Sequence, residues 1–187
     1  MSANAKTSID LADSRPVQRT KAALFDTFLG LVLTRRYDRI TVADIIGPAG
    51  IGRSTFYEHY RCKDDLLKEG LAGPFGVLAD TVLAGHADDP RLEETLAHFW
   101  ENRRTGNVLF AGATRTLLTR ALADLLERRL ATRRILSSLP PALLAAQMAG
   151  GQIALLTAWL SGLAPANPKS IADALRASAR AAVLDLP

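Results

Sequence analysis

The chain has almost none of the chemistry that disulfides, zinc clusters or a secretion signal require. Cys62 is its single cysteine, which excludes an internal disulfide and a cysteine-rich zinc site. A reducing, cytoplasmic environment is therefore expected. Residues 1–15 are polar and of mixed charge, without the basic start and apolar run that are typical of a signal peptide.

Sequence patterns of β-strands and of common catalytic sites are also lacking. No segment alternates apolar and polar residues, and no glycine-rich phosphate loop or nucleophile elbow is present. The apolar run 142–163 is interrupted by Gln147, Gln152 and Ser161, so it predicts a buried helix rather than a membrane span. We therefore predict an all-α protein that is not an enzyme and that holds no metal or cofactor.

The proportions of hydrophobic and charged residues are those of an ordinary globular protein, and the net charge is mildly positive. With 187 residues, of which 48% are hydrophobic, it is long enough for one or two domains with buried cores. The net charge of +4 and the sequence pI of about 9.6 favour contact with polyanions, without being specific for nucleic acid.

The helical periodicity of apolar residues, with glycine and proline residues between the periodic segments, predicts two domains. Residues 1–14 hold few bulky apolar groups and are expected to be disordered, and a helix is predicted after them with Pro16 in its first turn. Gly73–Pro74 is the clearest break further on. We therefore predict an N-terminal domain at 15–72 and a second helical domain at 73–187.

Glycines and prolines are expected to separate the helices of the second domain. Thr105–Gly106–Asn107 predicts a break, and a long amphipathic segment at 108–134 follows it, with a weaker break near Gly112. Pro140–Pro141 and Asn167–Pro168 are predicted to start the last two helices.

The segment from Thr41 to Lys63 combines residue types and spacing that indicate a particular partner. Its part 41–60 is typical of a helix-turn-helix, in which the second helix enters the major groove of DNA. Thr41 and Asp44 form a capping-box-like pair, and Gly50 lies at the sharp turn, where a positive φ favours glycine. The inner seam of the motif is predicted at Ile45, Ala49, Ile51 and Phe56.

Polar side chains are left on the outer faces of this motif. Arginine, serine and threonine can all bond base edges or phosphates, and a tyrosine hydroxyl or a helix start can bond a phosphate oxygen. The candidates for base reading are Arg53, Ser54 and Thr55. The candidates for phosphate contact are Thr41, Tyr57 and Lys63. The alternative is that these are ordinary surface residues of a small helical hairpin.

Several runs of this region are specific in combination. They are Ala49–Gly50–Ile51, Thr55–Phe56–Tyr57–Glu58–His59–Tyr60 and Lys63–Asp64–Asp65–Leu66–Leu67, with further matches at Arg19–Thr20–Lys21–Ala22–Ala23–Leu24, Tyr37–Asp38 and Thr41–Val42–Ala43–Asp44–Ile45. Through these residues the segment 15–70, roughly the first third of the chain, resembles the N-terminal domain of the TetR family of bacterial transcriptional regulators.

The resemblance implies a set of roles. The residues that would face DNA are Thr41, Arg53, Ser54, Thr55, Tyr57, His59 and Lys63, while Phe56 and Tyr60 would belong to the core. It further implies a homodimer on a double-stranded DNA operator, a small-molecule effector pocket in the second domain, and usually repression. The chain departs from the family pattern at Gly52, where serine is frequent, and at Pro48, which is expected to shorten or distort the preceding helix.

The end of the chain is the predicted dimer interface. The run 142–163 is apolar on more than one face and rich in small residues, which allow helices to approach closely. Together with the segment 167–184 it is expected to form a four-helix interface across a two-fold axis. The alternative is a core within one chain.

An effector pocket is expected among aromatic, methionine and amide side chains of the second domain. The candidate lining residues are Phe99, Trp100, Asn102, Phe110, Gln147, Met148 and Trp159, with Leu117 and Gln152 as further candidates. The alternative is that these side chains only pack, as apolar residues at helical spacing commonly do.

Taken together, these features predict a DNA-binding transcriptional regulator, a repressor that a small molecule releases from its operator. One alternative is a helical protein-interaction module that lacks DNA binding. Another is a small helical enzyme that uses a metal-binding face at Glu94, His98 and Glu101. His86, near Asp88, is expected to lie in a loop without a ligand role.

Overall fold

The computed structural model describes residues 4–84, 89–132 and 139–184, and every regular element in these ranges is helical. The α-helices of these ranges are α1 (Asn4–Thr34), α2 (Val42–Ala49), α3 (Arg53–His59), α4 (Lys63–Gly70), α5 (Ala72–Ala84), α6 (Pro90–Glu101), α7 (Arg103–Ala111), α8 (Arg115–Ala131), α9 (Pro141–Leu160) and α10 (Pro168–Leu184). A 3₁₀ turn at Tyr37–Arg39 precedes α2. The all-α prediction is confirmed for the described residues.

The chain divides into two compact units, a first unit at Met1–Gly70 and a second unit at Leu71–Pro187. The break that was predicted at Gly73–Pro74 lies instead inside the first turn of α5. Proline is tolerated there because the first turn of a helix leaves its backbone N–H groups without intrahelical partners.

The first unit is a short bundle in which α1 packs against α2 and α4, and α2 packs against α3. Apolar side chains recur at helical spacing along α1, and turning them inward removes apolar area from water. The buried apolar side chains of this unit are Leu24, Phe28, Val32, Ile40, Ile45, Phe56, Tyr60, Leu66 and Leu67. This core holds the helix-turn-helix segment against the long first helix.

The start of α1 differs from the sequence-based expectation. The helix begins at Asn4 and runs through Pro16, although residues 1–14 were expected to be disordered and Pro16 to open the helix. An interior proline removes one hydrogen bond and costs about 3 kcal/mol. The alanines, leucine, lysine and arginine of the segment 4–15 are good helix formers, and few bulky apolar groups do not by themselves prevent a helix.

The second unit is built around the pair α8 and α9, which share its most extensive contact among the described residues. Helix α7 also packs on α9, α5 packs on α8, and α10 packs on α5, α6 and α9. Leucines four residues apart on α8 (Leu118, Leu122, Leu126 and Leu130) are all buried, so one face of this helix lines the core.

The predicted break at Thr105–Gly106–Asn107 is wrong, because these residues lie inside α7. The close packing of α7 on α9 explains the glycine at position 106, since a Cβ atom added there would lie 2.9 Å from Cδ1 of Leu160 on α9. The helical structure is interrupted at Gly112, where the sequence predicted a weaker break, and α8 begins at Arg115. The predicted end of this segment near residue 134 lies outside the described residues.

Helix α9 is apolar on both its inner and its outer side. Leu156 and Ile153 are fully buried, whereas Leu143 keeps 57% of its surface exposed. Among the described residues, α9 is the one helix whose length and composition would allow a membrane crossing, and half of its apolar window is buried inside the protein. Gly162, at a φ of 78°, follows the helix and lets the chain turn toward α10.

Candidate nucleic-acid interface

The start of α2 is fixed by a reciprocal pair of hydrogen bonds between Thr41 and Asp44. The Asp44 backbone N–H donates to the Thr41 hydroxyl at 3.2 Å, and the Thr41 backbone N–H donates to the Asp44 carboxylate at 2.8 Å. The Thr41 hydroxyl also donates to the Asp44 carboxylate at 2.6 Å. The hydrogen bonds that the Thr41 hydroxyl and backbone N–H donate to this carboxylate, with a further contribution from Arg35 at 2.9 Å, hold the pKa of the Asp44 carboxyl below its usual range. The predicted capping box is thus present in the structure.

The turn between α2 and α3 depends on Gly50. Its φ of 66° lies in the left-handed region, as the sequence predicted. The Ile51 backbone N–H donates to the Ile46 carbonyl at 3.1 Å, and the Gly50 N–H donates to the Gly47 carbonyl at the same distance. These bonds satisfy two carbonyls in the last turn of α2, those of Ile46 and Gly47, although Pro48 lies inside that helix. The geometry directs the chain sharply into α3.

Helix α3 separates a buried side from an exposed one. Phe56 is 0% exposed, and its ring lies 5.5 Å from the ring of Tyr60, which is also buried. Burial and the carboxylate of Glu69 raise the pKa of Tyr60 to about 12. The structure therefore places both aromatic residues in the core, as the resemblance implied.

The opposite side of α3 presents most of the residues that were predicted to face DNA. Arg53 and Ser54 are exposed, Tyr57 keeps 47% of its surface exposed, and Thr55 and His59 are half-buried. The guanidinium carbon of Arg53 lies 5.6 Å from the centroid of the Tyr57 ring. No ion pair involves Arg53 in the part of the chain that the structure describes. This face can therefore offer a free cation and several hydroxyls to a ligand.

Lys63, another predicted phosphate ligand, is engaged inside the first unit. Its Nζ donates to the carbonyl oxygens of Tyr37 at 2.6 Å and Ile40 at 2.7 Å, and it lies 4.5 Å from the Tyr37 ring centroid. The Tyr37 hydroxyl donates to the Asp64 carboxylate beside it. Burial, strengthened by Asp64, raises the pKa of Tyr37. We call these residues, Tyr37, Ile40, Lys63 and Asp64, the lysine clamp.

The sequence did not reveal the lysine clamp. Tyr37 belonged to the matching runs but was given no role, and the acceptors for Lys63 are backbone carbonyls, which carry no residue signature. Thr41 is likewise engaged, because its hydroxyl donates to Asp44 at 2.6 Å. Thr41 precedes α2 and Lys63 begins α4, and their contact with phosphate stays a prediction.

The predicted effector residues of the second unit are mostly packed into its core. Phe99, Phe110, Met148 and Trp159 are buried. The rings of Phe99 and Phe110 meet edge to face at 5.7 Å. Asn102 and Gln147 are exposed, and the Asn102 side chain donates to the His98 carbonyl at 3.0 Å.

Trp100 is the predicted effector residue that lines an open cavity. The cavity measures about 730 Å³ and is lined by Trp100, Gly162, Ala164, Pro165, Ala166, Asn167, Pro168 and Ser170. Trp100 stacks on Trp159 at 5.1 Å, and the Trp159 indole N–H donates to the Ala166 carbonyl at 2.9 Å. The wall of this cavity is thus held by contacts to the core.

Gln152 of α9 is a buried amide whose Oε1 has no hydrogen-bond partner. An unpartnered buried acceptor costs about 1–3 kcal/mol, which is unusual in a native core. The sequence singled out this residue as a possible polar anchor.

The alternative metal-binding face is exposed and has no additional ligands around it. Glu94, His98 and Glu101 lie on the outside of α6, and no group of three potential metal ligands occurs among the residues that the structure describes. His86 and Asp88 lie outside the described residues.

These features define a class of protein. A capped helix, a turn at a left-handed glycine and a short helix with a buried phenylalanine and a polar outer face form a helix-turn-helix of the DNA-binding type.

Solved structures extend this classification to the whole fold. A TetR transcriptional regulator from Streptococcus agalactiae 2603V is 27% identical, with 91% of this chain and 98% of that chain covered and a TM-score of 0.55. NalD from Pseudomonas aeruginosa, the secondary repressor of the MexAB-OprM multidrug efflux pump, covers 90% of this chain and 100% of its own at a TM-score of 0.52; at 19% identity it shows the fold alone.

Comparison with curated proteins gives a shorter match. The chain is 42% identical over 55 residues to the uncharacterized HTH-type transcriptional regulator YxbF of Bacillus subtilis (strain 168). That match covers 29% of this chain and only 14% of the relative. No protein-family model matches the chain. The chain has the all-α fold of TetR-type transcriptional regulators, which are not enzymes, and its predicted resemblance to that family is confirmed.

Proposed function

We propose that this protein is a homodimeric, cytoplasmic repressor whose first unit binds a DNA operator and whose second unit senses a small molecule. The observation that carries the proposal is the two-sided α3, with Phe56 fully buried and a polar, partly cationic face directed outward. We assign DNA binding to residues 15–72 and dimerisation and effector binding to residues 73–187. The division of the chain into compact units at Met1–Gly70 and Leu71–Pro187 supports this assignment.

The exposed face of α3 supports specific roles in DNA binding. The N-terminal residues of a recognition helix contact base edges, so Arg53, Ser54 and Thr55 are assigned to the bases. Tyr57 and His59, further along the helix, are assigned to the flanking backbone, with Thr41 and Lys63 at its edges. Two such helices in a dimer would occupy successive major-groove faces of a partly palindromic operator.

The DNA-binding proposal can be tested by selecting bound fragments from random-sequence duplexes and measuring their affinity against salt. We expect Arg53→Ala to weaken operator binding by about 1–3 kcal/mol and to relax the base preference at one position. The matched control is Arg128→Ala, which removes an exposed arginine from α8 of the second unit. Failure to enrich any duplex with the intact protein would contradict the proposal and favour the protein-interaction alternative.

The exposed faces of α9 and α10 support the proposal of a homodimer. The exposed residues of α9 include Ala142, Leu143, Ala146, Gln147, Gly151 and Ala154, and those of α10 include Ala174, Ala177, Ser178 and Ala181. Small side chains let helices approach closely, and an exposed leucine at their edge adds apolar area to bury. A two-fold axis would place the same pair of helices from each copy in contact.

Gly151→Arg tests this interface. A Cβ atom at Gly151 meets nothing within 4 Å, and arginine is a better helix former than glycine, so the fold of the chain should be kept. A bulky cation on the proposed interface should yield a monomer in analytical ultracentrifugation. Gly73→Arg on α5, where a Cβ atom also meets nothing within 4 Å, is the control. A dimeric Gly151→Arg protein would refute the interface.

The cavity beside Trp100 supports the effector part of the proposal, because about 730 Å³ is in the usual range for a small-molecule site. An effector releases DNA only if it binds more tightly to a conformation that does not fit the operator. A Trp159→Phe protein would leave Trp100 as its tryptophan reporter. Compounds that release the operator should change its fluorescence, and release without any change would exclude this cavity.

A further inference from the structure

The contact between Arg53 and Tyr57 distinguishes these two residues from the rest of α3. They lie four residues apart, so their side chains meet on one face of the helix. The guanidinium carbon lies 5.6 Å from the Tyr57 ring centroid, within the range of a cation–π contact.

The Tyr57 ring is in turn anchored to the core. It meets the fully buried Phe56 ring edge to face, with centroids 5.4 Å apart and an interplanar angle of 86°. Edge-to-face geometry is a favoured arrangement of aromatic pairs, so it limits how far the Tyr57 ring can turn. The guanidinium therefore rests on a surface that the hydrophobic core holds in place.

Arg53 also differs from two other arginines of the first unit, Arg35 and Arg36, which are oriented by carboxylates. Arg35 pairs with Asp44 at 2.9 Å, and Arg36 pairs with Asp38 at 3.1 Å. Those carboxylates occupy guanidinium N–H groups, whereas an aromatic face attracts the cation and leaves its N–H groups for another acceptor. Arg53 is thus oriented by a partner that does not consume its hydrogen bonds.

We infer that Tyr57 is a positioning residue that holds Arg53 in the orientation needed to read one guanine in each operator half-site. This inference rests on the proposed DNA-binding function. Arg53 is the first residue of α3, the end of a recognition helix that reaches base edges. A planar guanidinium donates two parallel hydrogen bonds to guanine O6 and N7, and no other base offers that acceptor pair in the major groove.

Pre-orientation changes specificity more than general affinity. A free arginine side chain loses rotamer freedom when it docks on a base, and that loss is smaller when an aromatic ring already limits its positions. Phosphate contact tolerates many orientations of the cation, whereas bidentate base contact tolerates few. Loss of the ring should therefore reduce the preference for guanine while most non-specific binding remains.

The ring and the hydroxyl of Tyr57 can be separated by substitution. Tyr57→Phe keeps the ring and removes the hydroxyl, so it should weaken total affinity without changing the base preference. Tyr57→Leu removes the ring, and Tyr57→Gln is a second variant without a ring that suits an exposed position. Both should lower the preference for guanine at one half-site position about tenfold, which corresponds to the loss of one well-oriented base contact.

The experiment is a selection from random-sequence duplexes with the full-length protein and each variant, followed by competition binding at the position that prefers guanine. Arg53→Ala should abolish the preference, and adding Tyr57→Leu to Arg53→Ala should change that position no further, because the ring acts through the arginine. Thermal unfolding followed by circular dichroism verifies that each variant is folded.

The outcomes separate this inference from the proposed function. Enrichment of a guanine that Tyr57→Phe keeps and Tyr57→Leu and Tyr57→Gln lose would support it. A guanine preference that survives loss of the ring, or specific duplexes without a guanine that depends on Arg53, would overturn it and leave the DNA-binding function intact. No enrichment with the intact protein would refute the DNA-binding function itself.

Discussion

The two units of this protein fix their side chains in different ways. In the first unit, caps, a left-handed glycine and the lysine clamp set the positions of short helices through directed hydrogen bonds. In the second unit, buried leucines and aromatic rings make up much of the core between the helices, together with a few directed bonds such as the ion pair of Arg129 and Asp80 at 2.6 Å. Directed bonds between near neighbours leave a residue pattern in the sequence, whereas apolar burial leaves only a periodicity that many packings satisfy.

The chain carries natural probes for comparing the two units. Its tyrosines, Tyr37, Tyr57 and Tyr60, all lie in the first unit, and its tryptophans, Trp100 and Trp159, both lie in the second. Tryptophan-selective fluorescence therefore reports on the second unit, while near-ultraviolet circular dichroism of tyrosine reports on the first. Each of the following predictions can use this separation.

Phe56→Ala should have the largest effect. Truncating a fully buried phenylalanine costs about 3–5 kcal/mol, which is a large part of the stability of a small unit. We expect the tyrosine signal and DNA binding to be lost, while the tryptophan signal keeps its native form at low denaturant. Urea titration with both signals makes the measurement.

Leu156→Ala on α9 is the reciprocal change, since Leu156 is also fully buried. It should lower the urea midpoint of the tryptophan signal by the equivalent of about 2–5 kcal/mol. If Phe56→Ala and Leu156→Ala each shifted the urea midpoints of the tyrosine and tryptophan signals equally, the two units would unfold together. The difference between the units would then not extend to their stability.

Lys63→Met should have the next largest effect, through the lysine clamp. Methionine keeps the apolar stem but removes the Lys63 donor from both carbonyl oxygens, and the Tyr37 oxygen keeps the Ile40 backbone N–H at 3.2 Å. Loss of the donor to the Ile40 carbonyl costs about 1–3 kcal/mol. We expect a lower urea midpoint of the tyrosine signal. The salt slope of DNA binding should fall by less than the value of about 1 that one lost phosphate contact gives, because the Lys63 ammonium is already engaged.

Lys68→Met is the control for the lysine clamp, because Lys68 is an exposed lysine of the same helix α4. A Lys63→Met protein of unchanged stability, with a salt slope lower by about 1, would mean that Lys63 binds phosphate and has no structural role.

These contrasts explain how much could be predicted from the sequence. The capping box at Thr41, the turn at Gly50 and the buried Phe56 were predictable because each residue type meets a local geometric need. The engagement of Lys63 was not, since its acceptors are backbone carbonyls more than twenty residues earlier in the chain. The break at Gly73–Pro74 was misplaced because proline suits a helix start as well as a break.

In the second unit, the sequence predicted the presence of helices better than the roles of individual side chains. Trp100 and Trp159 stack on each other, but only Trp100 lines the open cavity, and periodicity does not distinguish the two. Gly106 looked like a helix break because its real partner, Leu160, is distant in the sequence. Such positions depend on which helices meet, which residue patterns along one helix do not specify.

Asp44→Asn tests the directed bonds of the first unit through pH. The pKa of Asp44 is lowered in the folded protein, so its ionised form stabilises the fold above the ordinary carboxyl pKa of about 4. That contribution is lost as the pH falls through the lower pKa of the folded state. The difference between the two proteins in the urea midpoint of the tyrosine signal should therefore be largest near neutral pH and should vanish in acid.

The control for this pH dependence is Asp124→Asn, an exposed aspartate of α8 in the second unit. The urea midpoint of its tyrosine signal should equal that of the intact protein at every pH. A difference for Asp44→Asn that stayed constant down to strongly acidic pH would mean that the carboxylate charge is not what stabilises the start of α2.

Gly52→Ser and Gly50→Ser should have the smallest effects, and these should be opposite in sign. Gly52 precedes α3 at a φ of −67° with no side-chain cap, and a Cβ atom there would meet only Thr55 and Ser54 oxygens at 3.7 and 3.8 Å. A serine hydroxyl can cap α3 and restricts the unfolded chain, so about 0.5–1 kcal/mol of stability should be gained. Gly50, at a φ of 66°, would instead force serine into the left-handed region at a cost of about 1–2 kcal/mol.

The paired serine substitutions compare two glycines of one turn, Gly50 and Gly52, whose backbones lie in different conformations. Thermal unfolding by the tyrosine signal should move up for Gly52→Ser and down for Gly50→Ser, with the tryptophan signal unmoved in both. Shifts of the same sign would contradict the argument that the conformation of Gly50, rather than a general need for flexibility, sets the turn. Because the turn aims α3, Gly50→Ser should also weaken operator binding, whereas Gly52→Ser should leave it close to that of the intact protein.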